Sequence, residues 1–242
     1  MPFRQEVHFC ALALNGESIV AKGSNGTTFR NEVLAALPLV ELEPLRLLLT
    51  RVRWTNGQAL YEPGERIEHV YFVEEGLASV VAEADDANSR VEAGMAGRES
   101  MAGLSALLDP ETTSFNRVFV QMAGVAYRMT APALLESVVT MPTLRRLLFR
   151  ALDASMAQVA QTAVCNSRHS LPERLARWLL FAHDRVDGDE LPLTQAFLSI
   201  MLGVRRSGVT IADLPPEEWT PGYADFASAC SGVMYPMAEW IR

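Results

Sequence analysis

The sequence LPLTQAFLSIMLGVRRSGVTIA occupies residues 191–212 and contains two short helical patterns separated by a turn. Thr194 is a suitable N-cap for the first helix, and apolar side chains recur at helical spacing behind it. Gly203 can end that helix in a left-handed conformation, and a second helix then starts near Arg205. This order, with two arginines near the start of the second helix, is typical of the helix-turn-helix that reads DNA.

Charge is distributed unevenly along the chain. The 242 residues have a formal net charge of −8, which argues against a uniformly basic nucleic-acid coat protein but allows a local basic surface. Residues 60–100 carry ten acidic and three basic side chains, whereas residues 143–186 carry seven arginines against three acids. An acidic first half followed by a locally basic stretch predicts two functional modules.

The cysteines indicate neither a disulfide framework nor a metal centre. Cys10, Cys165 and Cys230 lie far apart, without paired spacing. Cys165 and His169 share one helix face, but a buried thiol beside a surface histidine is the better interpretation. The apolar patch of residues 9–14 is too short for a secretory signal, and no stretch is long enough to span a bilayer. No catalytic set stands out, so we expect a cytoplasmic protein that is not an enzyme and binds no metal.

Short apolar runs separated by turn residues extend from Val52 to about Met129. Many short strands at regular spacing predict an antiparallel β-barrel or β-roll. Residues 74–76 are expected to form one of the turns, Gly124 separates two further apolar runs, and residues 103–108 are expected to form a helical turn between strands.

The apolar period becomes helical after Pro132. A short helix is predicted over residues 133–139 and a long one over residues 143–169, which contain no proline or glycine. At about 1.5 Å per residue the long helix would extend roughly 40 Å. Its apolar residues form one strong and one thinner stripe, so it is expected to pack both on its own domain and on a partner helix.

Several spaced motifs resemble one family. They are Tyr61-Glu-Pro-Gly-Glu65, His69-Val-Tyr-Phe-Val-Glu-Glu-Gly76, Gly97-Arg98-Glu99 with Gly103-Leu104, the run from Ser170 to Leu180, and residues 191–212. Together, in this order over about residues 31–212, they resemble the Crp/Fnr transcription regulators. That family joins a cyclic-nucleotide-binding-like domain to a winged helix.

The resemblance implies an α+β fold with five segments. An antiparallel β-roll, of the double-stranded β-helix or jelly-roll type, is followed by a long dimerisation helix and a helix-turn-helix domain whose wing is incomplete or missing. The predicted boundaries are 1–30 for an N-terminal extension, 31–141 for the effector domain, 142–169 for the dimerisation helix, 170–212 for the helix-turn-helix domain and 213–242 for a divergent C-terminal tail.

The resemblance also implies site residues. Arg206 is the candidate for a base-edge contact, because an arginine fork matches the two acceptors of guanine. The other candidates are expected to contact phosphates or to lie on the outer face of the reading helix, which is the helix that starts near Arg205. They are Thr194, Gln195, Arg205, Ser207 and Thr210. The effector-pocket candidates are Gly97, Arg98, Glu99, Gly103 and Arg117, although turn geometry alone explains the glycines equally well. The dimer-helix candidates are Leu144, Leu148, Leu152 and Val159.

Two departures from the family pattern limit what the resemblance implies. Members that bind cyclic AMP hold its phosphate with an Arg-Ser pair on a strand, but residues 114–118 read SFNRV. Cyclic AMP in the usual mode is therefore not expected, and neither is an iron–sulfur cluster, because the clustered cysteines are missing. Near the other end, Pro215 and Pro216 would end the reading helix early. A natural divergent tail and a frameshifted wing both fit this ending.

The expected protein is a cytoplasmic, dimeric, sequence-specific DNA-binding regulator whose β-roll senses an unidentified effector. Its expected partners are DNA, a second copy of the chain and RNA polymerase, with no membrane. The alternative is an effector-sensing or dimerising domain that has lost useful DNA affinity through the truncated wing. Neither the operator nor the direction of regulation follows from the sequence.

Overall fold

The chain folds as an antiparallel β domain followed by helices. The structure, a computed structural model, describes residues 29–83, 90–183, 185 and 195–204. In chain order the elements are α1 (Glu32–Ala35), α2 (Leu39–Arg46), β1 (Thr50–Trp54), β2 (Ala59–Tyr61), β3 (His69–Glu83), β4 (Arg90–Ala96), β5 (Met101–Ala102), a 3₁₀ turn (Leu104–Leu107), β6 (Arg117–Thr130), α3 (Ala131–Thr140), α4 (Pro142–Arg168), α5 (Leu171–His183) and α6 (Gln195–Met201).

All strand pairs are antiparallel. The strand order is β1-β6-β3-β4, with β2 paired to β6 and β5 paired to β3. The helical turn predicted over residues 103–108 is present as the 3₁₀ turn, and the short and long helices predicted after Pro132 are α3 and α4. The predicted α+β class with an antiparallel β domain is therefore confirmed.

The predicted turn at residues 74–76 is wrong. Strand β3 continues through these residues and pairs with β6, which is also one strand rather than two runs on either side of Gly124. The register shifts between Val73 and Leu77, and Gly76 has a φ of 87°. A Cβ on Gly76 would overlap the carbonyl oxygen of Met122, and one on Gly124 would overlap that of Glu75. Glycine therefore lets the two strands bend together without breaking their pairing.

The larger core lies between the β domain, α1–α3 and the first half of α4. It includes the fully buried Leu34, Leu42, Phe72, Leu134 and Leu144. Phe29 also belongs to this core and packs edge-on against Tyr127 with ring centroids 4.9 Å apart. Phe29 therefore packs with the β domain, although it falls within the N-terminal extension predicted over residues 1–30.

The N-cap of α1 connects three parts of the β domain. Asn31 is fully buried, and its side-chain oxygen accepts a hydrogen bond from the N–H of Leu34 at 3.2 Å. Its side-chain amide donates to the carbonyl oxygens of Val73 at 3.0 Å and Ser100 at 2.7 Å. One side-chain amide thus satisfies a helix start, a carbonyl of β3 and a carbonyl of the loop before β5.

A second core joins the β domain to the helices that follow α4. Leu77, Val81, Met95 and Met122 of the strands pack against apolar side chains of α5 and α6, which are Leu175, Trp178, Leu179, Ala182, Leu198, Met201 and Leu202. The helix pair is therefore held directly on the β domain of the same chain.

The long helix α4 places its two apolar stripes differently from the prediction. Leu144 and Leu148 are fully buried in the chain's own core, so they are not available to a partner helix, and their assignment to the dimer surface is corrected. Leu152 is half-buried. Met156 and Val159 are 65% and 45% exposed. This stripe is covered by the larger core only along the first half of α4. In the second half a different face is buried, where the side-chain oxygen of Gln158 accepts a hydrogen bond from the N–H of Met95 of β4 at 3.4 Å.

Candidate effector and DNA-binding sites

The first helix of the predicted DNA reader is present as α6. It is followed by Gly203, whose φ of 62° is left-handed. The N–H of Gly203 donates to the carbonyl oxygen of Ile200 at 3.1 Å, and the N–H of Val204 donates to that of Ser199 at 2.9 Å. These bonds close the helix end that the glycine predicted.

Most residues predicted to contact DNA lie beyond what the structure describes. Gln195 is the first residue of α6, and only its backbone is described. The other five candidates fall outside the described residues; they are Thr194, Arg205, Arg206, Ser207 and Thr210. The tail of residues 213–242, where the wing is predicted to be incomplete or missing, also lies outside them.

The predicted effector-pocket residues do not line one cavity. Gly97 and Glu99 lie beside Arg185. Gly103, with a φ of 93°, lies next to the hydroxyl of Tyr61. A Cβ at Gly103 would overlap this hydroxyl, so close packing explains the glycine.

Arg98 and Arg117 take part in other contacts. The backbone carbonyl of Arg98 accepts a hydrogen bond from the N–H of Glu32 at 2.8 Å. The guanidinium of Arg117 lies 3.3 Å from the carboxylate of Glu62, and the hydroxyl of Ser114 donates to the carbonyl oxygen of Asn116 at 2.6 Å. An arginine paired with a carboxylate of its own chain is not arranged as a free anion-binding fork.

A cavity in the described part of the chain lies elsewhere, where β4, α4, α5 and α6 meet. It has a volume of about 30 Å³ and is lined by polar as well as apolar side chains, among them Glu92, Gln158, Cys165, Arg174, Trp178 and Leu202. This volume holds about two water molecules. None of the five predicted effector residues lines it.

Glu92 is a buried carboxyl group at this cavity. Its side chain on β4 accepts a hydrogen bond from the indole N–H of Trp178 on α5. Burial raises the pKa of Glu92 to about 7, against the lowering effects of hydrogen bonds from Ser79 and Trp178 and of the charges on Arg185 and Arg177. Such a group changes charge near neutral pH.

Glu99 and Arg185 form a buried ion pair across the same junction. Their side chains are 2.9 Å apart and each is 5% exposed. The backbone N–H of Gly97 also donates to Glu99 at 3.1 Å. Arg185 donates to the carbonyl oxygen of Phe181 at 2.8 Å and stacks over the Phe181 ring at 4.2 Å. The pair therefore ties the loop after β4 to the end of α5.

Aromatic rings extend the junction to α6. Phe197 of α6 contacts Phe119 of β6 and Trp178 of α5, with ring centroids 6.3 Å and 6.0 Å apart and edge-on geometry. The turn after α6 also touches the β domain, because a Cβ on Gly203 would lie 3.3 Å from the Val91 side chain of β4. Edge-on aromatic pairs add to area burial in holding such surfaces together.

Sequence reasoning found Glu99 but missed its partner and the carboxyl group at the cavity. Arg185 stands 86 residues from Glu99, and Trp178 stands 86 residues from Glu92. The one signal for Glu92 was an acidic residue inside an otherwise largely apolar strand. The interpretation of Cys165 as a buried thiol is confirmed, and among the described residues no group of three or more metal-ligating side chains comes together.

Among the solved structures with this fold are three regulators. The c-di-GMP-responsive global regulator CLP from Xanthomonas campestris is 16% identical, over 72% of this chain and 89% of its own, with a TM-score of 0.59. A structure from Eubacterium rectale, assigned to the crp/fnr family of transcriptional regulators, is 14% identical over 73% and 82%, with a TM-score of 0.60. TTHB099, a CRP-family regulator from Thermus thermophilus, is 21% identical over 66% and 81%, with a TM-score of 0.53.

The chain thus has the fold of the Crp/Fnr transcription regulators, and the resemblance predicted from its motifs is confirmed at the level of the fold. No protein-family model matches the sequence, and no curated protein matches it either. In the described residues, no helix combines the length and apolar character that a membrane crossing needs.

Proposed function

We propose that this protein is a sequence-specific DNA-binding transcription regulator of the Crp/Fnr type. The observation that carries the proposal is the order of three elements in one chain. An antiparallel β domain leads into a 27-residue helix, and a helix pair follows that ends at the left-handed Gly203. The regulators with the same fold support the proposal, as does the pair of arginines directly after the turn. The protein acts in the cytoplasm and is not an enzyme.

DNA contacts are assigned to the segment around the turn. Arg206 reads a base edge, because its planar guanidinium matches the two acceptors of guanine. The phosphate contacts that set orientation come from the flanking polar residues, which are Thr194, Gln195, Arg205, Ser207 and Thr210.

The functional unit is a homodimer formed through α4. Leu152, Met156 and Val159 follow one another at helical spacing. The last two are exposed apolar side chains on a face of α4 that does not pack against the β domain. Two copies of this stripe bury each other across a twofold axis. A twofold dimer places its two helix-turn-helix segments (the reading heads, residues 191–212 of each copy) on paired half-sites of the DNA. RNA polymerase is the further proposed partner.

The effector is not cyclic AMP bound in the usual mode. Arg117, the nearest arginine to the expected phosphate site, is paired with Glu62, and the cavity of about 30 Å³ is far below the volume of an ordinary ligand pocket. An iron–sulfur cluster is not proposed either, because its thiolate ligands are not clustered in the sequence. An effector bound to the β domain acts by changing how α4 and the helix pair are held.

A gel shift on the DNA fragment upstream of the protein's own gene tests this function. Wild-type protein is expected to bind with a steep salt dependence, because phosphate contacts release counterions. Arg206→Ala is expected to abolish the specific complex while the dimer stays intact. Arg66→Ala is the matched control, since Arg66 is an exposed arginine of the β domain paired with Glu111 at 2.7 Å.

Two results would overturn the assignment. Wild-type affinity of Arg206→Ala for the same footprint would show that Arg206 does not read DNA. A wild-type dimer with no salt-dependent shift would favour an effector-sensing or dimerising domain that has lost DNA binding.

A further inference from the structure

The junction between the β domain and the helix pair has two polar ties. Glu92 of β4 accepts the indole N–H of Trp178, and Glu99 pairs with Arg185. We call these four residues the latch. Each tie joins the β domain to α5 or the residue just beyond it, and both are buried. They lie beside α6 and Gly203, where the proposed reading head begins.

We propose that the latch is an autoinhibitory contact that holds α5 and α6 against β4 and keeps the reading head from docking on DNA. This inference rests on the proposed function and names a way of regulating it. When the latch opens, the helix pair leaves β4 and can reorient, and the amides of α6 and β4 lose the protection that this packing provides.

The packing of the junction supports a contact that opens rather than a permanent core. Three buried polar atoms there have no hydrogen-bond partner: Oε1 of Glu92, Nε of Arg174 and Nη2 of Arg185. The cavity of about 30 Å³ lies among these helices. Unsatisfied polar atoms and empty space both favour exposure to water, whereas the apolar contacts of Trp178 and Phe197 favour closure. Opposed contributions of this kind produce a two-state element.

The charge of Glu92 adds a dependence on pH. Three ionisable or charged groups line the cavity with Glu92: Cys165 of α4, and Arg174 and Arg177 of α5. The charge of Arg185, which follows α5, also acts on Glu92. α6 contributes only the apolar Met201 and Leu202 to the lining. From β3, the uncharged Ser79 acts on Glu92 through a side-chain hydrogen bond.

The sign of this dependence follows from burial. Because burial raises the pKa of Glu92 to about 7 from an ordinary value of 4.5, the closed junction holds the proton more tightly than the open one. Closure is therefore favoured fully below pH 4.5, weakens as the pH rises to about 7, and then stays constant.

Hydrogen exchange of the full-length protein, followed by mass spectrometry, tests the latch without DNA. Glu99→Gln is expected to lower amide protection in β4 and α6 at least tenfold and to leave β1, which lies outside the junction, unchanged. Glu111→Gln is the matched control, because it makes the same change in an exposed ion pair of the β domain. Trp178→Phe removes the other tie and is expected to lower the same protection, so the proposal stays testable if Glu99→Gln does not fold.

The pH dependence provides a second readout. After correction for intrinsic exchange, wild-type protection of β4 and α6 is expected to be about tenfold higher at pH 5.5 than at pH 8. Glu92→Gln is expected to abolish this difference, because an amide does not titrate. Unchanged protection in both Glu99→Gln and Trp178→Phe would overturn the latch.

Binding to the upstream DNA fragment separates the latch from the proposed function. If both hold, Glu99→Gln binds that fragment about tenfold more tightly than wild type, because less of the protein is closed. Loss of protection with no DNA binding by either protein overturns the proposed function, and the contact then has no DNA binding to inhibit. DNA binding by both proteins at equal affinity overturns the autoinhibition alone, whether or not protection changes.

Discussion

The carboxylate of Glu41 on α2 accepts a hydrogen bond from the backbone N–H of Leu144 at 2.9 Å, in the first turn of α4. Its other oxygen accepts from the N–H of Thr143 at 3.0 Å. The residue before α4, Met141, provides no side-chain cap of its own. A buried acid from a different helix therefore caps α4, the longest helix among the described residues, and faces the positive end of its dipole.

Replacement of Glu41 by alanine is expected to lower the free energy of unfolding by about 2–3 kcal/mol, because two helix N–H groups lose a charged acceptor in a buried place. Glu41→Gln is expected to cost less, since an amide oxygen still accepts one bond. Urea denaturation followed by circular dichroism measures both. Glu111→Ala, at a 72% exposed side chain, is expected to change stability by less than about 0.5 kcal/mol. A Glu41→Ala protein as stable as this control would contradict the capping role.

The two ends of α4 illustrate what the sequence could predict. A proline at its first position, the absence of glycine inside it and a helical apolar period are local signals, and they predicted α4 to within one residue at each end. Its cap could not be predicted, because Glu41 is 102 residues from Thr143. Long-range partners of this kind depend on tertiary packing, and no periodic pattern in the sequence predicts them.

Gly76→Ala is expected to destabilise the protein by about 3 kcal/mol. Its left-handed φ strains any side chain, and the added Cβ would overlap backbone atoms of Met122 and Ala123. Gly57→Ala separates these two effects. Gly57 has a similar φ of 79° but open space around its Cβ position, so only the strain of about 1 kcal/mol applies. Equal losses of unfolding free energy in the two variants would show that the overlap contributes nothing.

Asn31→Ala is expected to cost about 2–4 kcal/mol of unfolding free energy, because a helix cap is lost and the carbonyl oxygens of Val73 and Ser100 lose a buried donor. Asn31→Ser keeps a capping oxygen but cannot reach both carbonyls, so it should fall between alanine and wild type. Thermal and urea unfolding give the ranking. A serine variant less stable than the alanine variant would rule out the cap as a contributor.

Val159→Glu is expected to weaken the proposed dimer at least tenfold, since the twofold axis brings two carboxylates together on an apolar stripe. Sedimentation velocity over a range of protein concentrations measures the change. Val139→Glu is the control on α3, where the side chain is 77% exposed and outside the proposed interface. A Val159→Glu protein that sediments like wild type would place the dimer surface elsewhere.

The candidate site was predicted less well than the fold, for a physical reason. Turn geometry explains motif positions such as Gly97 and Gly103. Because a turn depends on neighbouring residues, such positions can be predicted from the sequence. The pairing of Glu99 with Arg185 depends on how α5 packs against the β domain. No pattern in the sequence of either segment predicts that packing. Leu144 and Leu148 show the same limit, because an apolar stripe does not say whether its own chain or a partner covers it.

The facing glycines of β3 and β6 have a consequence for how the sequence can change. Gly76 and Gly124 lie at the same close approach of the β3 and β6 backbones, because a Cβ on Gly124 would lie 2.7 Å from the nitrogen of Gly76. Once either position carries a side chain, the strands must separate there, and a side chain at the other position then meets less resistance. The two substitutions are therefore epistatic. A lineage that loses this pair must first accept the full cost of one substitution, and only the second is made easier by the first, which makes the pair difficult to lose one residue at a time.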